Sequence, residues 1–275
     1  METPFQVDDA ACVACGACVR DCAFGALRRG EDGRPVFAQP AKCMRCQHCF
    51  AICPTGAIAF DGHTAGEALP TRGLALPTGE EVVNWMHVRR STRKFRDADV
   101  DRAALDRVLT ALGSVPTGCN ARALTFTCYP DRASLARFKA AFLDCIAHHR
   151  DGAKLLPRWL AVPAIRLRRG GEDVFFRGAS GLLIVSSDET APGVTTPRED
   201  VTAALAYFEM LANAHGIATC WCGFLRLVQQ EVPELLEASA GIRRTTPFYA
   251  MLFGPSALSY PRGVLRDGYA RIVYR

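Results

Sequence analysis

Apolar positions recur along this chain with two periods. The helical period gives three stripes: Leu105, Val108, Leu109 and Leu112; Leu135, Phe138, Phe142 and Ile146; and Val201, Leu205, Phe208, Leu211 and Ala212. They predict helices from Asp101 onward, over 135–146 and over 201–214. Thr78-Gly79-Glu80-Glu81, ahead of the apolar Val82, Val83, Trp85 and Met86, predicts another. In a T-x-x-E box the Thr and Glu side chains satisfy the free N–H groups at a helix start. Apolar runs predict strands over 124–129, 181–186 and 248–253, and 270–274 reads as a terminal strand. Helices and strands interleave, but strands are few for 275 residues, which favours a layered α+β or α/β domain. Residues 150–178 carry no readable period.

Residues 1–62 are organised differently. Gly30, Asp32, Gly33 and Pro35 read as a turn joining two short strands, and Gly25-Ala26-Leu27 is matched later by Gly56-Ala57-Ile58. This is an internal duplication in a unit with little core, so bound metal must supply part of its folding energy. Residues 63–78, rich in Gly, Ala, Pro and Thr, read as a linker. The expected organisation is a domain over 1–62, a linker over 63–78 and a domain over 79–275.

Composition narrows the class. A hydrophobic fraction of 49% supports a sizeable core, and 22% charged residues exclude a disordered chain. No apolar run approaches the ~20 residues of a membrane helix. The start, METPFQVDDA, carries no basic-then-apolar signal segment. The thirteen cysteines then read as reduced thiols in a cytoplasm. The net charge of +5 is uneven: residues 1–62 hold six Lys/Arg against seven Asp/Glu, and the remainder 27 against 21. This reads as an acidic module on a basic body. The arginines have a more specific use than nucleic acid, so neither nucleic acid nor membrane is an expected partner. The six histidines show no ligand spacing, and His148-His149 reads as a surface pair.

Eight cysteines carry the sharpest signal. Cys12, Cys15, Cys18 and Cys22 form C-x2-C-x2-C-x3-C, and Cys43, Cys46, Cys49 and Cys53 repeat it, followed by Pro54. Structural zinc sites use paired C-x2-C knuckles, whereas three thiolates in one loop with a fourth at x3 suit iron–sulfur clusters. Residues 7–60 resemble a bacterial two-cluster ferredoxin, with Ala23 standing where the second run has Pro54. The resemblance implies two 4Fe-4S clusters with crossed ligands, one on Cys12, Cys15, Cys18 and Cys53, the other on Cys43, Cys46, Cys49 and Cys22. Two clusters in one small domain suggest an electron relay.

His87-Val88-Arg89-Arg90-Ser91-Thr92-Arg93-Lys94-Phe95-Arg96 packs five strong positive charges into ten residues. Composition alone favours a solvated basic helix end, stabilised by the helix dipole. Arginines and a serine also suit phosphate. In order along the chain, Arg-Arg-Ser-x-Arg-x-Phe, the 114–120 segment Ser-Val-Pro-Thr-Gly-Cys-Asn, the stretch from Ala214 to Phe224, and Tyr260-Pro261-Arg262-Gly263-Val264-Leu265-Arg266 resemble motifs of the FMN-binding nitroreductase family. The resemblance implies that Arg89, Arg90, Ser91 and Arg93 hold the phosphate, ribityl chain and pyrimidine edge of FMN. It implies that Pro116, Thr117, Gly118 and Asn120 line the flavin ring largely through backbone groups. Cys222 and Gly223 would bring N–H groups near the reacting flavin nitrogen, and Arg262 or Arg266 would add a phosphate contact. It also implies a homodimer with the flavin at the interface.

Arg122-Ala123-Leu124 departs from the family's Gln-Pro-Trp; Arg122 could reach the flavin or an acidic substrate. Cys220-Trp221-Cys222, on an extended piece, reads as small packing residues rather than a redox pair. Cys119, Cys128 and Cys145 have no partner motif. No G-x-G-x-x-G dinucleotide fingerprint follows a strand.

The expected function is an FMN-dependent, ferredoxin-linked oxidoreductase. Electrons arrive from a reduced ferredoxin or similar donor through two 4Fe-4S clusters and go to an electrophilic small molecule: a nitroaromatic, quinone or activated alkene. The alternative is an electron-transfer flavo-iron–sulfur protein that serves a protein partner and has no small-molecule substrate.

Overall fold

The computed structural model describes residues 4–148, 156–266 and 268–275. His149 of the histidine pair and residues 150–155 of the unreadable stretch lie outside the described residues. The chain divides into two units, Met1–Pro77 and Thr78–Arg275.

The first unit contains β1 (Phe5–Val7), α1 (Ala17–Asp21), β2 (Leu27–Arg29), β3 (Pro35–Phe37), α2 (His48–Ala51) and β4 (Ile58–Phe60). β1 pairs antiparallel with β4, Phe5 opposite Phe60, and β2 pairs with β3 across the expected turn. Phe5, Leu27, Ile58 and Phe60 form a core in which Cys18 is buried and Cys22, Cys43, Cys49 and Cys53 pack at the margin. The duplication is visible in the backbone. Ala14 and Arg45, Gly16 and Gln47, and Gly25 and Gly56 are equivalent pairs, and all six have positive φ. Left-handed backbone costs an L-residue about 1–2 kcal/mol, so Ala14, Arg45 and Gln47 hold it only because their surroundings impose it. Part of the expected linker is ordered: Thr64 and Glu67 form a reciprocal capping box around a short helical turn, Ala65–Glu67.

The second unit opens with α3 (Gly79–Val88) at the Thr78 capping box, where the Glu81 N–H donates to Thr78 Oγ1 at 3.2 Å. Then come α4 (Arg102–Ala111), capped by Asp101, β5 (Leu124–Tyr129), α5 (Arg132–His148), α6 (Arg158–Arg168), β6 (Gly181–Ser187) and α7 (Pro197–Ala214). β7 (Ala218–Trp221), α8 (Gly223–Glu231), α9 (Pro233–Ala240) and β8 (Phe248–Gly254) complete it. The sheet order is β5-β6-β8-β7, antiparallel throughout.

Strand geometry sends alternate side chains to opposite faces, and here both faces are buried. Leu182, Ile184, Phe248, Ala250 and Leu252 enter one core with α5, α6, α8 and α9. Leu183, Val185, Met251 and Phe253 enter another with α4 and α7, around Phe208. The result is a helix–sheet–helix layering. Gly181 sits opposite Phe253, and a Cβ there would lie 2.2 Å from the Phe253 ring.

One expectation fails, and two further features are not revealed by the apolar pattern. No residue of α3 is buried, and Val82, Val83 and Met86 are exposed, with nothing among the described residues covering that face. Residues 270–274 form no strand. They pair with neither free sheet edge, and Ile272, Val273 and Tyr274 lie exposed. The unreadable stretch holds α6, whose period is masked by Pro163 and by four arginines from Arg158 to Arg169.

Phe208 is fully buried between α7 and the sheet, with its ring centroid 5.8 Å from that of Phe253. Phe208→Ala is expected to cost about 3–5 kcal/mol. Denaturant unfolding of the purified protein checks this.

Candidate functional site

The first candidate site is built by the duplicated loops. A cavity of about 210 Å³ is lined by Cys22 from the first run and by Cys43, Cys46 and Cys49 from the second, among Phe5, Leu27, Phe37 and Phe60. The Cys18 thiol is pushed up by burial and feels the neighbouring Cys53 and Cys15 thiols. Burial also pushes Cys49 up to about 12, with Cys46 and Cys43 close by. Cys53 is desolvated too, yet hydrogen bonds from Thr55, Ala57 and Ile58 outweigh burial and hold its thiol below the usual value. The Arg45 N–H reaches Cys43 Sγ at 3.4 Å. N–H groups aimed at sulfur stabilise thiolates and tune a cluster's potential. Among the described residues no group of three or more His, Cys, Asp or Glu is set to hold a single metal ion. Four thiols around one cavity suit a multi-iron cluster. All thirteen cysteines are unpaired.

The second candidate site lies where α3 ends. Arg90 donates to the Arg89 and His87 carbonyls at 2.6 and 2.7 Å, so its guanidinium caps the last carbonyls of the helix. Arg89 pairs with the buried Glu209 of α7 at 3.3 Å. Glu209 also accepts from Thr219 Oγ1 at 3.1 Å and Trp221 Nε1 at 3.2 Å, both on β7. The Thr92 N–H donates to the Thr219 carbonyl and Ser91 bridges Thr219, so the arginine segment is stitched to the sheet edge.

Arg89 and Arg90 line a cavity of about 430 Å³ with Trp85, Glu209 and Arg266. The C-terminal segment is held there by the Val264 N–H on the His87 carbonyl. The buried Trp85 Nε1 has no hydrogen-bond partner among the described residues. A buried N–H among three arginines suits an anionic oxygen, such as those of a phosphate. Arg262 and Ser91 do not line this cavity, and Arg93 is exposed beside β7, where its charge reaches Cys220.

The 116–122 loop is anchored from α7. The Gly118 N–H donates to the buried Asp200 at 2.9 Å, and a Cβ on Gly118 would lie 2.1 Å from Thr196 Oγ1. Cys119, Asn120 and Arg122 all have positive φ. The amides of Gly118 and Asn120 are engaged within the chain, so contacts from this loop to a flavin ring fall to its carbonyls and side chains. Arg122 folds back onto Asn120 Oδ1 and the Gly113 carbonyl, which holds it on its own loop, away from a ligand. A further correction concerns Cys222. Its N–H pairs with the Ala250 carbonyl at 2.9 Å, leaving Gly223, at the first position of α8, as the amide free of helix bonding. Cys220 and Cys222 are buried with raised pKa values, as packing residues are.

Sequence reasoning missed Trp85, Glu209, Asp200 and Arg177. Glu209 left a signal: it is a lone charge four residues after Leu205, on the apolar stripe of α7. Arg177, exposed with φ +56, places its charge near Cys220 and Cys222. No motif announces it.

The nitroreductase family model matches residues 86–254, and that of the 4Fe-4S dicluster domain matches residues 11–58. The archaeal-type glutamate synthase (NADPH) of Thermotoga maritima is 47% identical over 51 residues, 18% of this chain and 10% of that protein. A ferredoxin from Pyrobaculum islandicum is 34% identical over 67 residues, 24% of this chain and 62% of that one. The chain thus spans about a tenth of the glutamate synthase it matches. A nitroreductase from Bacteroides fragilis, solved with bound FMN, superposes with a TM-score of 0.50 at 21% identity, over 70% of this chain and 99% of that one. At that identity the likeness is one of fold.

Two outcomes follow from the buried groups. Glu209→Ala strands the Arg89, Thr219 and Trp221 donors; the expected loss is about 2–3 kcal/mol, below a fully buried pair because Arg89 keeps a quarter of its side chain in water. Denaturant unfolding measures it. Burial pushes Cys222 up to about 12 from 9.0. The unfolded thiol ionises first, so stability from this group is complete below pH 9 and is lost between pH 9 and about 12. Cys222→Ala should flatten that part of the stability–pH curve relative to the parent protein.

Proposed function

The chain belongs to the nitroreductase family, and we propose that it is an FMN-dependent oxidoreductase fed through two 4Fe-4S clusters, reducing an electrophilic small molecule such as a nitroaromatic, quinone or activated alkene. The reading rests on one observation above others: a chain with the nitroreductase fold also carries a cavity that gathers thiols from both cysteine runs. The electron donor would be a reduced ferredoxin or a similar one-electron carrier.

Cys22, Cys43, Cys46 and Cys49 would hold one cluster, and Cys12, Cys15, Cys18 and Cys53 the other. The four-thiol cavity and the proximity of Cys18 to Cys53 support this division. Arg89, Arg90, Arg266 and the Trp85 N–H would receive the FMN phosphate, with Arg266 rather than Arg262 as the C-terminal contact. Ser91 and Arg93, fixed along β7, would continue the site toward the ring, where Pro116, Thr117, Gly118 and Asn120 supply carbonyl and side-chain contacts. Gly223 would offer its amide. When bound, FMN supplies the hydride chemistry and the clusters supply one-electron carriage. The chain's residues bind, orient and exclude water. Glu209 is engaged by three donors and is not placed to give a proton, so water is the proton source. A second copy of the chain would cover the exposed face of α3, giving a homodimer. The unpaired cysteines suit a reducing cytoplasm.

Anaerobic purification should yield iron and released FMN. Arg266→Ala should lower FMN occupancy, and unchanged occupancy would mean the phosphate site is misplaced. Cys22→Ser should remove about half of the iron and slow nitroarene turnover driven by reduced ferredoxin. No turnover by the parent protein, with rapid flavin oxidation by a protein partner, would favour the pure electron-transfer role.

A further inference from the structure

Outside the groups assigned above, a cavity of about 190 Å³ opens between α7, α8 and β8. Its lining is Arg198, Val201, Thr202, Arg226, Phe248 and Tyr249. Val201 and Phe248 are buried and make an apolar floor. The two guanidinium groups stand out because both line one cavity and neither has a carboxylate partner among the described residues. Arg34, Arg45, Arg89, Arg102, Arg132 and Arg168 each sit on a carboxylate. The nearby Asp200 accepts the Gly118 N–H and the Thr196 hydroxyl, both on one carboxylate oxygen. Arg226 is steadied by a 3.4 Å hydrogen bond to the Phe248 carbonyl. Two guanidinium groups over an apolar floor, with the Tyr249 hydroxyl beside them, match a carboxylate on a flat apolar body, while the Thr202 hydroxyl is spent on the Arg198 carbonyl.

The position ties this cavity to the reaction. Arg226 lies one turn along α8 from Gly223, and a Cβ on Gly223 would stand 3.6 Å from the Tyr249 hydroxyl. Tyr249 in turn packs on Trp221, with ring centroids 5.1 Å apart. A ligand anchored here would extend toward the Gly223 amide. The cavity is smaller than a pocket enclosing a whole ligand, commonly ~300–1,000 Å³, so it suits one end of a molecule whose other end reacts.

We infer that Arg198 and Arg226 form an anion subsite that selects electrophiles carrying a carboxylate. This rests on the flavin reading for the position of the reacting end, while the subsite itself can be tested by binding alone. The probes are 4-nitrobenzoate and 4-nitrobenzamide, which share an electrophile and differ in charge. They are titrated by calorimetry into oxidised holoprotein without reductant. The acid is expected to bind about tenfold or more tightly than the amide at low salt. Arg198→Gln and Arg226→Gln should each erase the preference, Arg226→Lys should keep part of it, and Arg107→Gln, on the exposed side of α4, should leave it intact. Unchanged melting temperatures would show that the variants fold. Equal binding of acid and amide by the parent protein, or an undiminished preference in both glutamine variants, overturns the subsite. Turnover with added reductant is scored separately. Its absence beside an intact, arginine-dependent preference supports the subsite and counts against the reductase reading.

Discussion

A carboxylate buried in the middle of a helix has to be met by donors, and Glu209 is met by three, from Arg89, Thr219 and Trp221. Desolvating a carboxylate costs several kcal/mol, which these partners offset only if each is held in place. The requirement therefore propagates. It fixes the end of α3 against α7, lays Ser91 and Thr92 along the free edge of β7, and sets the indole of Trp221 against Tyr249. The arginine-lined cavity with its unpartnered Trp85 N–H is bounded by this network. So, two residues past Trp221, is the start of α8. A single buried charge thus links two places where a ligand is expected.

In the first unit the organising constraint is backbone strain. Equivalent positions in the two halves adopt left-handed backbone whether glycine is available or not. The same chain path has been imposed twice, and with so small an apolar core little besides the cysteine geometry can impose it.

Much of this was legible because it rests on local periodicity. The ends of β5, the capping box of α3, the start of α4 at Asp101 and the stripe of α7 follow from side-chain spacing alone. What was not legible depends on residues far apart in sequence. Nothing near Cys222 says that its amide will pair with Ala250, and nothing near Gly118 says that Asp200 will claim its N–H. The apolar positions of α3 predict a helix, but they do not say what covers them. Residues 270–274 have strand-forming side chains but pair with neither free edge of the sheet. Of the residues proposed to hold cofactors, those named from the sequence lie on motifs with fixed spacing. Trp85, whose role comes from an unsatisfied N–H in three dimensions, does not.

The meeting of Cys22 with Cys43, Cys46 and Cys49 in one cavity has a consequence for the duplicated unit. The first run lends its last thiol to a cavity lined mainly by the second, so loss of the first half of the duplication would leave that cavity one thiol short.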